Sequence, residues 1–138
     1  MEAYRRTVLY IEDDAVNMTL MRHIFRKYLP AVLLLEAETA ELGLRIAMRE
    51  PLDLILLDIG LPGLDGYAAM NVLRSKEETR HIPVLGVSAF AQNADMERAR
   101  VSGFAGYITK PFQVRLLAEA VESLLAGRAH VFIEDKIR

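Results

Sequence analysis

The chain has 138 residues and a formal net charge of −2, a length suited to one domain around one core. Its composition is 52% apolar and 26% charged, an ordinary globular balance, and no basic surplus marks a nucleic-acid surface. The absence of cysteine excludes a disulfide framework and thiolate chemistry and fits a reducing cytoplasm. No apolar run approaches the ~18 residues of a membrane span, and the opening MEAYRRTVLY lacks the apolar stretch of a signal peptide.

Short apolar runs alternate with amphipathic ones along the chain. Thr7–Ile11 is β-prone, and in Ala15–Tyr28 the residues Leu20, Met21, Ile24, Phe25 and Tyr28 fall at helical spacing. Val32–Leu35 is a second strand, followed by a helix over Thr39–Arg49 with Thr39 as its cap. Leu52–Leu57 is a third strand, Asp65–Lys76 a helix, Val84–Val87 a fourth strand and Ala94–Ser102 a helix ending near Gly103. Gly106–Thr109 is a short fifth strand. Val114–Leu125 closes the pattern, with Val114, Leu117, Ala118, Val121, Leu124 and Leu125 on one face.

Five strand–helix alternations predict a doubly wound α/β fold, a parallel sheet with helices on both faces. The nearly unbroken apolar strands agree, because such a sheet is buried on both sides. Ligands of this fold class bind beyond the carboxyl ends of the strands. The residues at those ends are Glu12, Asp13 and Asp14, then Asp58, then Ser88, then Lys110 with Pro111. Each alone has an ordinary explanation: Asp14 as a helix cap, Asp58 as a turn residue, Ser88 and Lys110 as solvated surface. Together they place carboxylates, a hydroxyl and an ammonium on one rim.

Carboxylates brought that close repel one another and raise their own pKa values. Mg²⁺, a hard cation that takes oxygen ligands and keeps several waters, relieves the repulsion. An ionised Asp58 is then a nucleophile toward a phosphoryl group. Metal and Lys110 neutralise the transferring oxygens, and Ser88 donates its hydroxyl to one of them.

Four segments, IEDD at 11–14, LLDIGLPGLDG at 56–66, GVSAFA at 86–91 and YITKPF at 107–112, resemble in order and spacing the receiver domain of two-component response regulators. The similarity runs from residue 7 to about 125 and is nearest to stand-alone cell-cycle and chemotaxis regulators. It implies a flavodoxin-like five-stranded sheet of order 2-1-3-4-5 with five helices. The receiver would span 5–126, and 127–138 would be a tail or the start of a linker.

The resemblance also implies roles. Asp58 is the phosphoacceptor. Asp13 is a direct metal ligand, Glu12 acts on the metal through water, and the carbonyl of Gly60 is the third protein ligand. Lys110 pairs with phosphate through a loop with a cis bond to Pro111. Ser88 is the switch hydroxyl, Ala89 leaves room beside it, and Tyr107 is the switch aromatic that moves inward. The phosphodonor is a histidine kinase or histidine phosphotransfer protein docked near the first helix. His23 on that helix is read as surface. The downstream protein partner meets the face that includes Ala94–Arg100 and Tyr107. No direct nucleic-acid partner and no membrane span are expected.

Glu12 stands where Asp is commoner, and Ser88 where Thr is. Gly60 brings no side chain two residues after the acceptor, where Mg²⁺-dependent aspartyl phosphatases carry a second Asp, so an efficient hydrolase is disfavoured. Gly60 and Phe90 fall where such domains tune dephosphorylation. A flavin carrier of the same fold is disfavoured because Glu12, Asp13 and Asp14 would repel its phosphate. The tail AGRAHVFIEDKIR is open between a disordered end, a dimer arm joining a second copy, a docking strand and a linker.

Overall fold

In a computed structural model, residues 5–60, 65–89 and 92–128 are described, together with the backbone of 131–132. β1 (Arg6–Ile11), β2 (Val32–Ala37), β3 (Leu54–Asp58), β4 (Val84–Ser88) and β5 (Gly106–Thr109) form a parallel sheet in the order β2-β1-β3-β4-β5. The expected strand order is therefore present. A two-residue strand from the tail, β6 (Val131–Phe132), extends the sheet at the β5 edge, pairing Gly106 with Val131 and Tyr107 with Phe132.

The five helices are α1 (Ala15–Tyr28), α2 (Ala40–Arg49), α3 (Gly66–Ser75), α4 (Asn93–Val101) and α5 (Val114–Leu125). Among the described residues, no helix is long and apolar enough to cross a membrane. Side chains of successive strand residues point to opposite faces, and two cores result. Val8, Tyr10, Leu54, Leu56, Leu85 and Ile108 pack with α1 and α5. Leu9, Ile11, Ile55, Leu57, Val84 and Tyr107 pack with α2, α3 and α4.

Several boundaries differ from those expected, each for a local reason. β3 begins at Leu54 rather than Leu52, because Asp53 serves the entry to the sheet. Its carboxylate accepts the N–H of Thr7 at 2.8 Å. β3 and β4 each run one residue further, since Asp58 pairs with Val87 and Ser88 with Thr109. β2 extends to Ala37 by pairing with Ile11. Asp65 is a cap rather than a helical residue, accepting the N–H of Ala68 at 2.8 Å, whereas Thr39 is the expected cap of α2, accepting the N–H of Leu42 at 3.0 Å. On α1, Met21, Ile24 and Phe25 are buried as the spacing predicts, with Met18 beside them, whereas Leu20 turns outward to 36% exposure.

Candidate functional site

The strand ends position the site, and in three places the sheet's backbone bonding continues one residue past a strand. Glu12 N–H donates to the Ala37 carbonyl at 2.9 Å, Ile59 N–H to Val87 at 2.9 Å, and Lys110 N–H to Ser88 at 2.8 Å. Each chemically important side chain is thus held at the rim by a fixed backbone.

Carboxylate oxygens of Glu12, Asp13 and Asp58 all lie within 4.8 Å of one another. Glu12 and Asp58 are buried and Asp13 is exposed. Lys110 reaches between the two buried acids, its Nζ 3.0 Å from Glu12 Oε1 and 3.3 Å from Asp58 Oδ2. Asp58 Oδ1 accepts the N–H of Gly60 at 3.0 Å. The Lys110–Pro111 peptide is cis, as expected. Burial pushes the Lys110 ammonium down, but hydrogen bonds and charge from Glu12 and Asp58 outweigh it. Its pKa therefore stands above the ordinary lysine value.

Strand parity divides the rim in two. Glu12 continues the alternation of Val8 and Tyr10, Asp58 that of Leu54 and Leu56, and Lys110 that of Ile108, all on the α1–α5 face. Ser88 continues the alternation of Val84 and belongs with Tyr107 on the α2–α3–α4 face. Charge is gathered on one side and the hydroxyl pair on the other. Ser88 and Tyr107 are each 1% exposed and hydrogen-bonded to one another. Burial raises the Tyr107 phenol pKa, partly offset by that bond. Tyr107 is thus buried against Ser88 in this structure.

Of the acids read from the sequence, Asp14 does not join the cluster. It caps α1, accepting the N–H of Val16 at 2.8 Å, and its own N–H donates to Glu12 Oε2 at 3.2 Å. His23 is exposed on α1. Phe90 lies outside the described residues. Sequence reading missed Tyr10, whose hydroxyl donates to Glu12 Oε1 at 2.7 Å. Its burial and that bond raise the phenol pKa well above the ordinary value. The available signal was period two: a tyrosine two residues before Glu12 shares its face of the strand. Arg98 was also passed over. It stacks 3.7 Å above the Tyr67 ring and lines a cavity of about 250 Å³ with Gly60, Ser88 and Tyr107.

The donor set suits a hard divalent cation. Three carboxylates face one ammonium, which leaves an excess of negative charge on oxygen ligands of the kind Mg²⁺ takes. The exposed Asp13 gives the cluster a solvent side on which a cation can keep its waters.

Comparisons with known proteins agree with this geometry. Residues 8–122 match the response regulator receiver domain family. The chain is 36% identical over 120 residues to the polar-differentiation response regulator DivK of Brucella ovis, covering 87% of this chain and 96% of that protein. A solved receiver domain of a sensor histidine kinase from Pseudomonas aeruginosa is 28% identical with a TM-score of 0.80, covering 90% of this chain and all (100%) of that one. It carries a magnesium ion coordinated in its active-site cleft. The receiver domain of Ssk1 from Saccharomyces cerevisiae, solved with the histidine phosphotransfer protein Ypd1, superposes with a TM-score of 0.81. At 23% identity, covering 91% of this chain and 92% of that one, it supports the fold alone. The chain belongs to the receiver-domain family of two-component response regulators, a family of signalling domains rather than conventional enzymes.

Proposed function

We propose that Asp58 accepts a phosphoryl group from a phosphohistidine on a histidine kinase or histidine phosphotransfer protein, and that the modified domain signals to a protein partner. The observation that carries this reading is the position of Asp58. Its carboxylate is buried at the centre of an acid cluster, with Lys110 on one oxygen and the Gly60 N–H on the other. An Asp58 oxygen forms the new bond to phosphorus as the phosphorus–nitrogen bond of the donor breaks. The departing imidazole keeps the electron pair and takes up a proton. Mg²⁺, when bound, neutralises the phosphoryl oxygens and the acids around them. Asp13, Asp58 and the Gly60 carbonyl would hold it, with Glu12 acting through water. Lys110 supplies the second positive charge and Ser88 a hydroxyl donor.

Gly60 offers no acid/base side chain to activate water, which disfavours efficient hydrolysis of the phosphorylated state. Autodephosphorylation is then slow, and phosphate serves as a signal. Ser88 and Tyr107 read it out to α4, β5 and α5, the face assigned to the downstream partner. The receiver unit spans 5–126 and is followed by the tail 127–138, of which Val131–Phe132 pairs with β5; a second copy of the chain is a further partner. This chemistry belongs to the cytoplasm, where ATP-dependent kinases act.

Incubation with a small phosphodonor and Mg²⁺, read by intact mass, tests the proposal. The wild type is expected to gain one phosphoryl group and Asp58→Asn none. Equal labelling of the two proteins would overturn it.

A further inference from the structure

Tyr10 sits near the carboxyl end of β1, flanked on both sides by β2 and β3. It is fully buried in the same apolar cluster as Met21, Leu117 and Val121. Packing at such a position asks only for an apolar side chain of the right volume. A hydroxyl there is a cost unless it finds a partner. Its partner is the Glu12 carboxylate, itself 1% exposed. A neutral phenol donating to a buried carboxylate makes a charge-assisted bond, and the 2.7 Å separation is ordinary for O–H···O geometry.

The bond settles how Glu12 divides its two oxygens. Oε1 accepts from Tyr10 and from Lys110 at 3.0 Å. Oε2 accepts the Asp14 N–H at 3.2 Å. Without the phenol, Oε1 keeps only Lys110 among these donors, and Lys110 also serves Asp58 at 3.3 Å. The ammonium is then drawn toward Glu12, and the carboxylate loses the anchor that sets its rotation. The ring is held by its buried walls, so the hydroxyl is a fixed reference for the acid cluster.

We infer that Tyr10 is a positioning residue for the divalent-cation site, fixing the Glu12 carboxylate through its hydroxyl so that Glu12, Asp13 and Asp58 are arranged to take Mg²⁺ before it arrives. The inference rests on the metal reading of the acid cluster given above. Partners that orient the groups around a metal typically change its affinity 10–100-fold when removed. Tyr10→Phe keeps the ring and the packing and removes only the hydrogen bond.

Mg²⁺ affinity measured calorimetrically on wild type, Tyr10→Phe, Glu12→Gln and the double variant tests it. Tyr10→Phe is expected to weaken binding by about tenfold. In the Glu12→Gln background the same change is expected to alter binding by less than about twofold, because its effect runs through Glu12. A purely structural tyrosine would lower the unfolding temperature without this coupling. A folded Tyr10→Phe that binds Mg²⁺ within about twofold of wild type overturns the inference. Should Tyr10→Phe fail to fold, the Tyr10 ring resonances of the wild type decide, since they are expected to shift on Mg²⁺ addition and their constancy overturns the inference. A wild type that binds no Mg²⁺ overturns instead the metal reading on which it depends.

Discussion

Lys110 touches both buried acids of the rim, which makes it their electrostatic keystone. Removing one member of a buried charge group leaves the others uncompensated, at about 3 kcal/mol or more. Lys110→Met is therefore expected to lower the unfolding free energy by about 3 kcal/mol in metal-free buffer, with part of the loss recovered by Mg²⁺. The pH dependence follows from the raised lysine pKa. A group whose folded pKa exceeds its unfolded value of about 10.4 stabilises fully below that value and loses the effect only as pH rises through the folded pKa. The gap between wild type and Lys110→Met in urea unfolding should thus be constant from about pH 6 to 9. A gap that closes within that window would show that Lys110 is not held as described.

At the scale of elements, the passage from β3 into α3 depends on a glycine. A Cβ on Gly66 would stand 2.5 Å from the Ile59 Cα and 3.1 Å from the Asp58 carbonyl oxygen. Those are backbone atoms of Asp58 and the residue after it, so they cannot swing aside as a flexible side chain would. Gly66→Ala is expected to cost about 2 kcal/mol and to disturb Asp58. Gly60→Ala is a contrasting control. Among the described residues its Cβ would meet only Asp58 Oδ1, at an ordinary 3.8 Å, and the change should cost less than about 0.5 kcal/mol. Equal urea midpoints for the two variants would refute the steric account.

At the scale of the whole molecule, parity places the charged half of the rim over the α1–α5 core and Ser88 with Tyr107 over the other. A phosphoryl group on Asp58 would bridge the halves by engaging Ser88, and a local charge event needs such a two-state element to act at a distance. Because Tyr107 is already buried against Ser88, the expected response is a change in that hydrogen bond and in its neighbours on α4, β5 and α5. Amide shift mapping with and without beryllofluoride should show changes at Ser88, Tyr107 and along α4. A spectrum unchanged around Tyr107 would exclude the switch.

The sequence by itself determined the strand–helix alternation, the parallel sheet and the identity of the rim acids, hydroxyl and lysine. Those features are local: apolar periodicity sets each element, and chemistry gathers where strands end. Only tertiary structure decided which of the acids share a cluster, because Asp13 and Asp14 are neighbours in sequence yet one faces Asp58 and the other caps α1. It also decided that the tail pairs with β5 and that Leu20 faces out. Tyr10 shows the reason most clearly. Within the chain it is one more β-prone residue of an apolar strand. Its role comes from what stands above it on the same face, a carboxylate shared with a lysine 98 positions away in the sequence, and sequence spacing carries no record of that meeting.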